Sequence, residues 1–163
     1  MHQPDRPDGG MDEAARGSRL ELYERLCRER GMRCTVQRRV VLEAALILGN
    51  HPTADQVLEA VRDRLPGIAR PTVYRALEHL ADLGVISKAC HPGHVARYDT
   101  RTDLHHHLVC LHCNQFVDFT SPSLDGLEIP DTSGLGFELS DYRVQLRGTC
   151  RSCREKVRKE GST

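Results

Sequence analysis

The chain has 163 residues with 23 basic and 23 acidic side chains, so its formal charge is zero. That length holds one domain or two small ones and excludes a large enzyme with separate cofactor and substrate domains. A mean hydropathy of −0.49 without a long apolar run excludes a transmembrane helix, and the opening residues lack the pattern of a secretion signal, so a cytoplasmic protein is expected. With no Trp and 4% aromatic residues, the cores must be small and aliphatic, whereas seven Cys and nine His are an excess. In a reducing compartment, cysteines at paired spacing point to metal more than to disulfides.

Residues 1–17 are rich in Pro, Gly and Asp and read as a disordered tail, within which Met11 is an alternative start. From 18 to 30, Leu20, Tyr23, Leu26 and Cys27 fall at helical spacing, and Gly31 stops the run. Thr35 is placed to cap a helix that ends at Gly49-Asn50. Thr53 caps a third, closed by Pro66-Gly67. Thr72 is placed to cap a fourth over 72–83, with Val73, Leu77, Leu80 and Ala81 on one face. Two β-prone runs, 85–89 and 94–99, then flank a His91-Pro92-Gly93 turn and read as a hairpin. Helices followed by a hairpin outline a winged helix-turn-helix over 18–99, in which the helix from Thr72 enters a major groove and the hairpin is the wing. Arg70, Thr72, Tyr74 and Arg75 lie at its N-terminal end and suit phosphates or base edges. The competing reading is an ordinary solvated helix face.

After a hinge at 100–103 the character changes. Residues 105–110, 115–119 and 142–148 read as three strands, and 121–136 as a loop with at most one short helix. Three strands make a poor independent domain. The segment 104–156 therefore needs a metal, a partner subunit or both, and 157–163 reads as a flexible, charged tail. The zero net charge is also unevenly spread: residues 18–99 carry 13 basic and 10 acidic groups, while 102–142 hold seven acids and no Lys or Arg.

Cys110-x-x-Cys113 and Cys150-x-x-Cys153 supply the four thiolates of a closed, structural zinc site, although the 36 residues between the pairs exceed the usual ribbon spacing. Buried free cysteines or a redox pair are the alternative, but chance rarely duplicates the spacing. The motifs lack the His-x-Glu and Pro-Cys-x-x-Cys of zinc deaminases. A second group is scattered: His51, Asp99, His105, His106, His107 and Asp118. In a strand, His105 and His107 share a face and His106 takes the other, so the first two can share one ion. Imidazole with carboxylate suits Fe(II), Mn(II) or Zn(II). A polar strand face is the alternative.

From about Leu20 to Cys153 the chain resembles the ferric uptake regulator family of bacterial metal-dependent repressors. The matching segments are T-x-Q-R at 35–38, HPTAD at 51–55, PTVYRAL at 71–77, LADLGVI at 80–86, RYD at 97–99, HHHLVCLHC at 105–113 and RGTCRSC at 147–153. The resemblance implies an α+β protein: an N-terminal winged helix-turn-helix domain, then a small α/β dimerisation domain with a four-cysteine zinc site. It further implies a homodimer on palindromic operator DNA, and a regulatory metal held by His51, Asp99, His105, His107 and Asp118. The iron-uptake branch usually has Glu at the two carboxylate positions, and Asp at both resembles the peroxide repressor branch. Cys90, in the wing, keeps a zinc-uptake reading open. The chain departs from the family pattern at 122–137, where Gly126, Pro130, Gly134 and Gly136 oppose the usual helix. It departs again at Tyr142 and Leu104, which lack the donors of an additional site.

The expected function is that of a repressor and not an enzyme, with structural zinc and regulatory Fe(II) or Mn(II), and with peroxide sensed by oxidation of His51 or His105. The rivals are an iron- or zinc-uptake regulator sensing metal occupancy, a small zinc hydrolase built on the His/Asp cluster, and a zinc-stapled interaction module that binds no DNA.

Overall fold

The computed structural model describes residues 10–89 and 95–160. They fall into two compact units that divide after Thr102. No helix among them is long and apolar enough to cross a membrane.

The first unit opens with α1 (Glu13–Glu29). Residues 13–17, expected in a disordered tail, are helical instead. The Asp12 carboxylate accepts the Ala15 amide at 2.8 Å and caps the first turn, and the Met11 amide bonds the Leu46 carbonyl. Next come α2 (Val36–Leu48), capped by Thr35 as expected, and α3 (Ala54–Val61), where Thr53 and Gln56 form a reciprocal capping box. Helix α4 (Arg70–Asp82) starts earlier than its sequence suggests. Ala69 is its N-cap, and Pro71 sits in the first turn, where its missing N–H costs nothing. Thr72 therefore lies inside the helix and does not cap it.

Gly84, at φ +73°, closes α4 in the left-handed region and turns the chain into the wing. There β1 (Ser87–Ala89) and β2 (Arg97–Asp99) pair antiparallel, with Ser87 opposite Asp99. The expected turn at His91-Pro92-Gly93 and Cys90 lie outside the described residues. One core, built from Tyr23, Leu42, Leu46, Val57, Leu77, Leu80 and Tyr98, joins the four helices to the wing. Val73, Ala76, Leu77 and Leu80 are the buried stripe of α4, so Arg70 and Arg75 are left on its outer side, while the half-buried Tyr74 packs against the edge of the core.

The second unit is a three-stranded sheet in the order β4-β3-β5: β3 (His106–Cys110), β4 (Phe116–Phe119) and β5 (Gln145–Gly148). Strands β3 and β4 form an antiparallel hairpin, and β5 joins β3 in parallel. Between β4 and β5 the chain forms only the four-residue α5 (Pro122–Asp125) and a 3-10 turn at Ser133–Leu135. Helix α6 (Arg151–Glu160) closes the unit and continues past 156, into the segment expected to be a flexible tail.

Candidate metal centres

The parallel pairing of β3 with β5 explains how cysteines 36 residues apart reach one place. Its register ends with Cys110 beside Gly148, and the Leu111 amide bonds the Gly148 carbonyl at 2.8 Å, so both Cys-x-x-Cys turns leave the same end of the sheet. Asn114, at φ +56°, closes the first turn in a conformation that Asn tolerates. The second pair opens α6. The four sulfurs lie within 4.8 Å of one another, with Cys113 Sγ and Cys150 Sγ 3.7 Å apart. A tetrahedral zinc with bonds of about 2.3 Å sets its sulfurs ~3.8 Å apart, so the donor set fits that ion. Two of the four thiols are biased towards the thiolate: the Cys150 amide, 3.3 Å from the Cys110 sulfur, and the Cys113 amide hold the Cys110 thiol down to about 5. The Cys153 amide similarly lowers Cys150, whereas Cys153 itself is pushed up to about 12, chiefly by its hydrogen bond with Cys150. Four sulfurs that share protons in this way gain most when a cation displaces the last of them.

At the start of β3, which His105 immediately precedes, the three histidines divide as the strand period requires. His107 faces Asp118 across the ladder, while His106 faces Phe119. His105 Nδ1 lies 2.8 Å from the Asp103 carbonyl oxygen, which can only accept, so a neutral His105 carries its proton there and has a lone pair at Nε2. That Nε2 is 3.0 Å from His107 Nε2, and Asp118 Oδ1 is 3.9 and 3.6 Å from the two nitrogens. Donors on ~2.1 Å bonds at right angles around one ion stand about 3.0 Å apart, which is the separation of the two imidazole nitrogens; Asp118 Oδ1 stands farther off, beyond that spacing.

His106, also buried, does something else. Its Nδ1 accepts the Val144 amide at 3.1 Å, so its Nε2–H donates to Asp125 Oδ1 at 3.0 Å. Tyr142 stacks against this ring and directs its hydroxyl to the carbonyls of Leu124 and Asp125. His106 belongs to no cluster of three potential ligands among the described residues. It ties α5 and the approach to β5 onto β3.

In the first unit, His51 and Asp99 are brought together by backbone contacts. Gly49, Asn50 and His51 are successive positive-φ residues (52°, 51° and 54°), which costs roughly 1–3 kcal/mol for each non-glycine. This loop is bolted to β2: Arg97 donates to the His51 carbonyl at 3.0 Å, and the Tyr98 amide bonds Pro52. Two residues further along β2, Asp99 Oδ1 accepts the Arg101 amide, and Oδ2 lies 3.7 Å from His51 Nε2. That distance is too long for a hydrogen bond. It falls within the spread of two donors around one ion.

At the start of α4 the four residues expected on nucleic acid are not equivalent. Arg70 is clamped by Asp55 through two bonds of 2.7 and 2.8 Å, and its guanidinium lies over the Tyr74 ring. Arg75 is exposed, with Nε on the Pro71 carbonyl, and Thr72 is half-buried. Sequence reasoning missed Asp55, although it stands in the HPTAD string. It also missed Asp125, whose partner His106 is 19 residues away, and Glu78, which accepts bonds from both wing strands.

The ferric uptake regulator family model matches residues 29–147. The peroxide-responsive repressor PerR of Staphylococcus epidermidis is 30% identical over 138 residues, covering 83% of this chain and 92% of that protein. Among solved structures, a zinc-bound manganese uptake regulator is 31% identical, with a TM-score of 0.58 over 78% of this chain and 97% of that one. The ferric uptake regulator of Helicobacter pylori is 21% identical, with a TM-score of 0.72 over 85% and 93%, and shares the fold. With a winged head, a four-cysteine cluster and a gathered His/Asp donor set, this chain belongs to the ferric uptake regulator family of metal-dependent regulators.

Proposed function

We propose that the chain is a homodimeric, cytoplasmic repressor, activated by metal and released by peroxide. In this reading zinc takes Cys110, Cys113, Cys150 and Cys153. A regulatory Fe(II) or Mn(II) takes His51, Asp99, His105 and His107 with Asp118, and Arg70, Thr72, Tyr74 and Arg75 meet palindromic operator DNA. The observation that carries the peroxide reading is the pair of carboxylates, Asp99 and Asp118, each beside an imidazole and each an aspartate where the iron-uptake branch resembled above has Glu. The 30% identity to peroxide-responsive repressors supports it.

The chain's own groups prepare the site. Asp103 fixes the tautomer of His105, so its Nε2 needs no deprotonation before it binds. The β2 contacts hold the strained His51 loop, so little ordering remains to be done on binding. When bound, Fe(II) would supply the reduction of hydrogen peroxide. His51 and His105 are the imidazoles that would face that chemistry: the peroxide would pass one oxygen atom to one ring and leave as water, and the oxidised ring would donate less well to the metal. Dimerisation is supported by the second face of the sheet, where Leu108, Leu146 and Val117 are adjacent in register and the two leucines are more than two-fifths exposed. A three-stranded sheet with such a row needs a cover.

The test is peptide mass spectrometry of the zinc- and Fe(II)-loaded protein after a brief peroxide pulse. Addition of a single oxygen atom to the His51 or His105 peptide, with loss of operator binding, is expected, and the Mn(II) form should stay unmodified. Operator binding that depends on metal while no histidine peptide gains oxygen would assign the chain to metal-uptake sensing instead.

A further inference from the structure

We infer that Asp55 is a specificity-determining residue: it holds Arg70 in the plane from which its free edge reads a guanine in the major groove. The inference rests on the proposal that α4 is the DNA-reading helix. Arg70 is the first residue of α4 and Asp55 the second of α3, so the pair bridges the helix-turn-helix at the end that points into the groove in such motifs. Nε and Nη2 bind the two carboxylate oxygens at 2.7 and 2.8 Å. The Tyr74 ring lies under the guanidinium, 5.4 Å from its carbon, and its hydroxyl is 3.4 Å from Nη2. Among the described residues, Nη1 has no partner.

Three physical points favour a base over a phosphate as the target. An arginine has five N–H donors in a rigid fork. A carboxylate on the Nε/Nη2 edge leaves both Nη1 hydrogens free, and the second Nη2 hydrogen, held only by the long 3.4 Å contact to the Tyr74 hydroxyl, can join them on the O6 and N7 acceptors of guanine. Second, both side chains are more than half exposed, and such a pair adds little to folding. What the clamp does accomplish is orientation, because it removes the rotamer freedom that a free arginine would lose on binding. Third, phosphate attraction depends on full positive charge. A carboxylate beside Arg70 weakens that attraction and repels the backbone, which suits a directional contact and not an electrostatic one.

The experiment is selection from a pool of random-sequence duplexes with the full-length protein, loaded with zinc and Mn(II), as wild type, Asp55→Asn and Arg70→Lys. Wild type should enrich a site with guanine at a fixed position in each half. Both variants, which change exposed side chains and should keep the wild-type circular dichroism spectrum, should lose the guanine preference at that same position. Asp55→Asn should bind the wild-type site about tenfold more weakly. It should bind a scrambled duplex as well as wild type or better, since a negative charge is gone, an outcome that a merely structural role would not produce. If Asp55→Asn keeps the guanine preference, or binds the selected site more tightly, the inference is overturned and DNA reading by α4 survives. If wild type enriches no sequence at all, both fail together.

Discussion

Removing the Tyr98 hydroxyl isolates the bond that ties the wing to α4. Tyr98, fully buried on β2, donates to Glu78 Oε1 of α4 at 2.7 Å, and Lys88 of β1 meets the same oxygen at 2.8 Å. A hydrogen bond to a charged partner is worth ~1.5–3 kcal/mol when dry. The Glu78 side chain is 45% exposed, so water screening reduces that to about 1 kcal/mol. Phenylalanine keeps the ring packing and leaves Glu78 its lysine, so no further penalty enters. For a unit of this size, Tyr98→Phe should lower the melting temperature by roughly 4–8 °C. Far-ultraviolet circular dichroism reports that unit, since it holds α1 to α4. The effect also has a pH signature. Lys88 first, then Tyr98, holds the Glu78 carboxyl below its ordinary value. A carboxylate depressed in the folded state contributes stability above its unfolded value and loses it as pH falls through the folded one. The gap between wild type and variant should be full at neutral pH and shrink in acid. Equal melting temperatures at neutral pH, or a gap that widens in acid, would refute the reasoning.

Two predictions concern the second unit. Cys150→Ser removes one thiolate of four, and a structural zinc contributes ~10–16 kcal/mol of apparent binding energy, more than three short strands supply. Zinc content should therefore fall, and the β3 amides should lose hydrogen-exchange protection, while α2 and α4 keep theirs; protected β3 amides in the zinc-free variant would contradict this. His106→Leu removes the bonds to Val144 and Asp125 and leaves an amide unsatisfied, for a loss of about 2–3 kcal/mol. Denaturant titration should show that loss while elemental analysis finds the metal content unchanged, whereas loss of metal would make His106 a ligand.

What can be read from the sequence follows from short-range rules, and what cannot depends on pairing. The caps at Thr35 and Thr53 and the wing strands lie in local pattern, and the resemblance then supplies the family. The start of α4 reads two residues late because Thr72 is a good cap by composition, whereas Pro71 is equally content inside the first turn. The helical character of residues 13–17 is hidden by Gly17 and by the polar run before it, and it depends on one carboxylate, Asp12. The parallel pairing of β5 is out of reach: a parallel partner carries no turn signal, so nothing in the 36-residue gap announces that Gly148 lies beside Cys110. Likewise the alternation of a strand separates His106 from its neighbours but does not identify Asp125 as its partner.

Charge shows the same division between composition and arrangement. The 13 basic groups of residues 18–99 exceed the acids by three, which suits a reading head only weakly. At least six of them, Arg25, Arg39, Arg62, Arg64, Arg70 and Lys88, are paired with carboxylates of the same unit. Four of those pairs brace α1 to α2, α2 to the turn after α3, α3 to α4, and α4 to the wing, where a phosphate-binding surface would leave its cations open. Such a unit has little bulk attraction for DNA, and Arg70, the group proposed to read it, is held rigidly. In the proposed homodimer, affinity would then come from how two heads are set relative to each other, which a regulatory metal can change and a surface charge cannot.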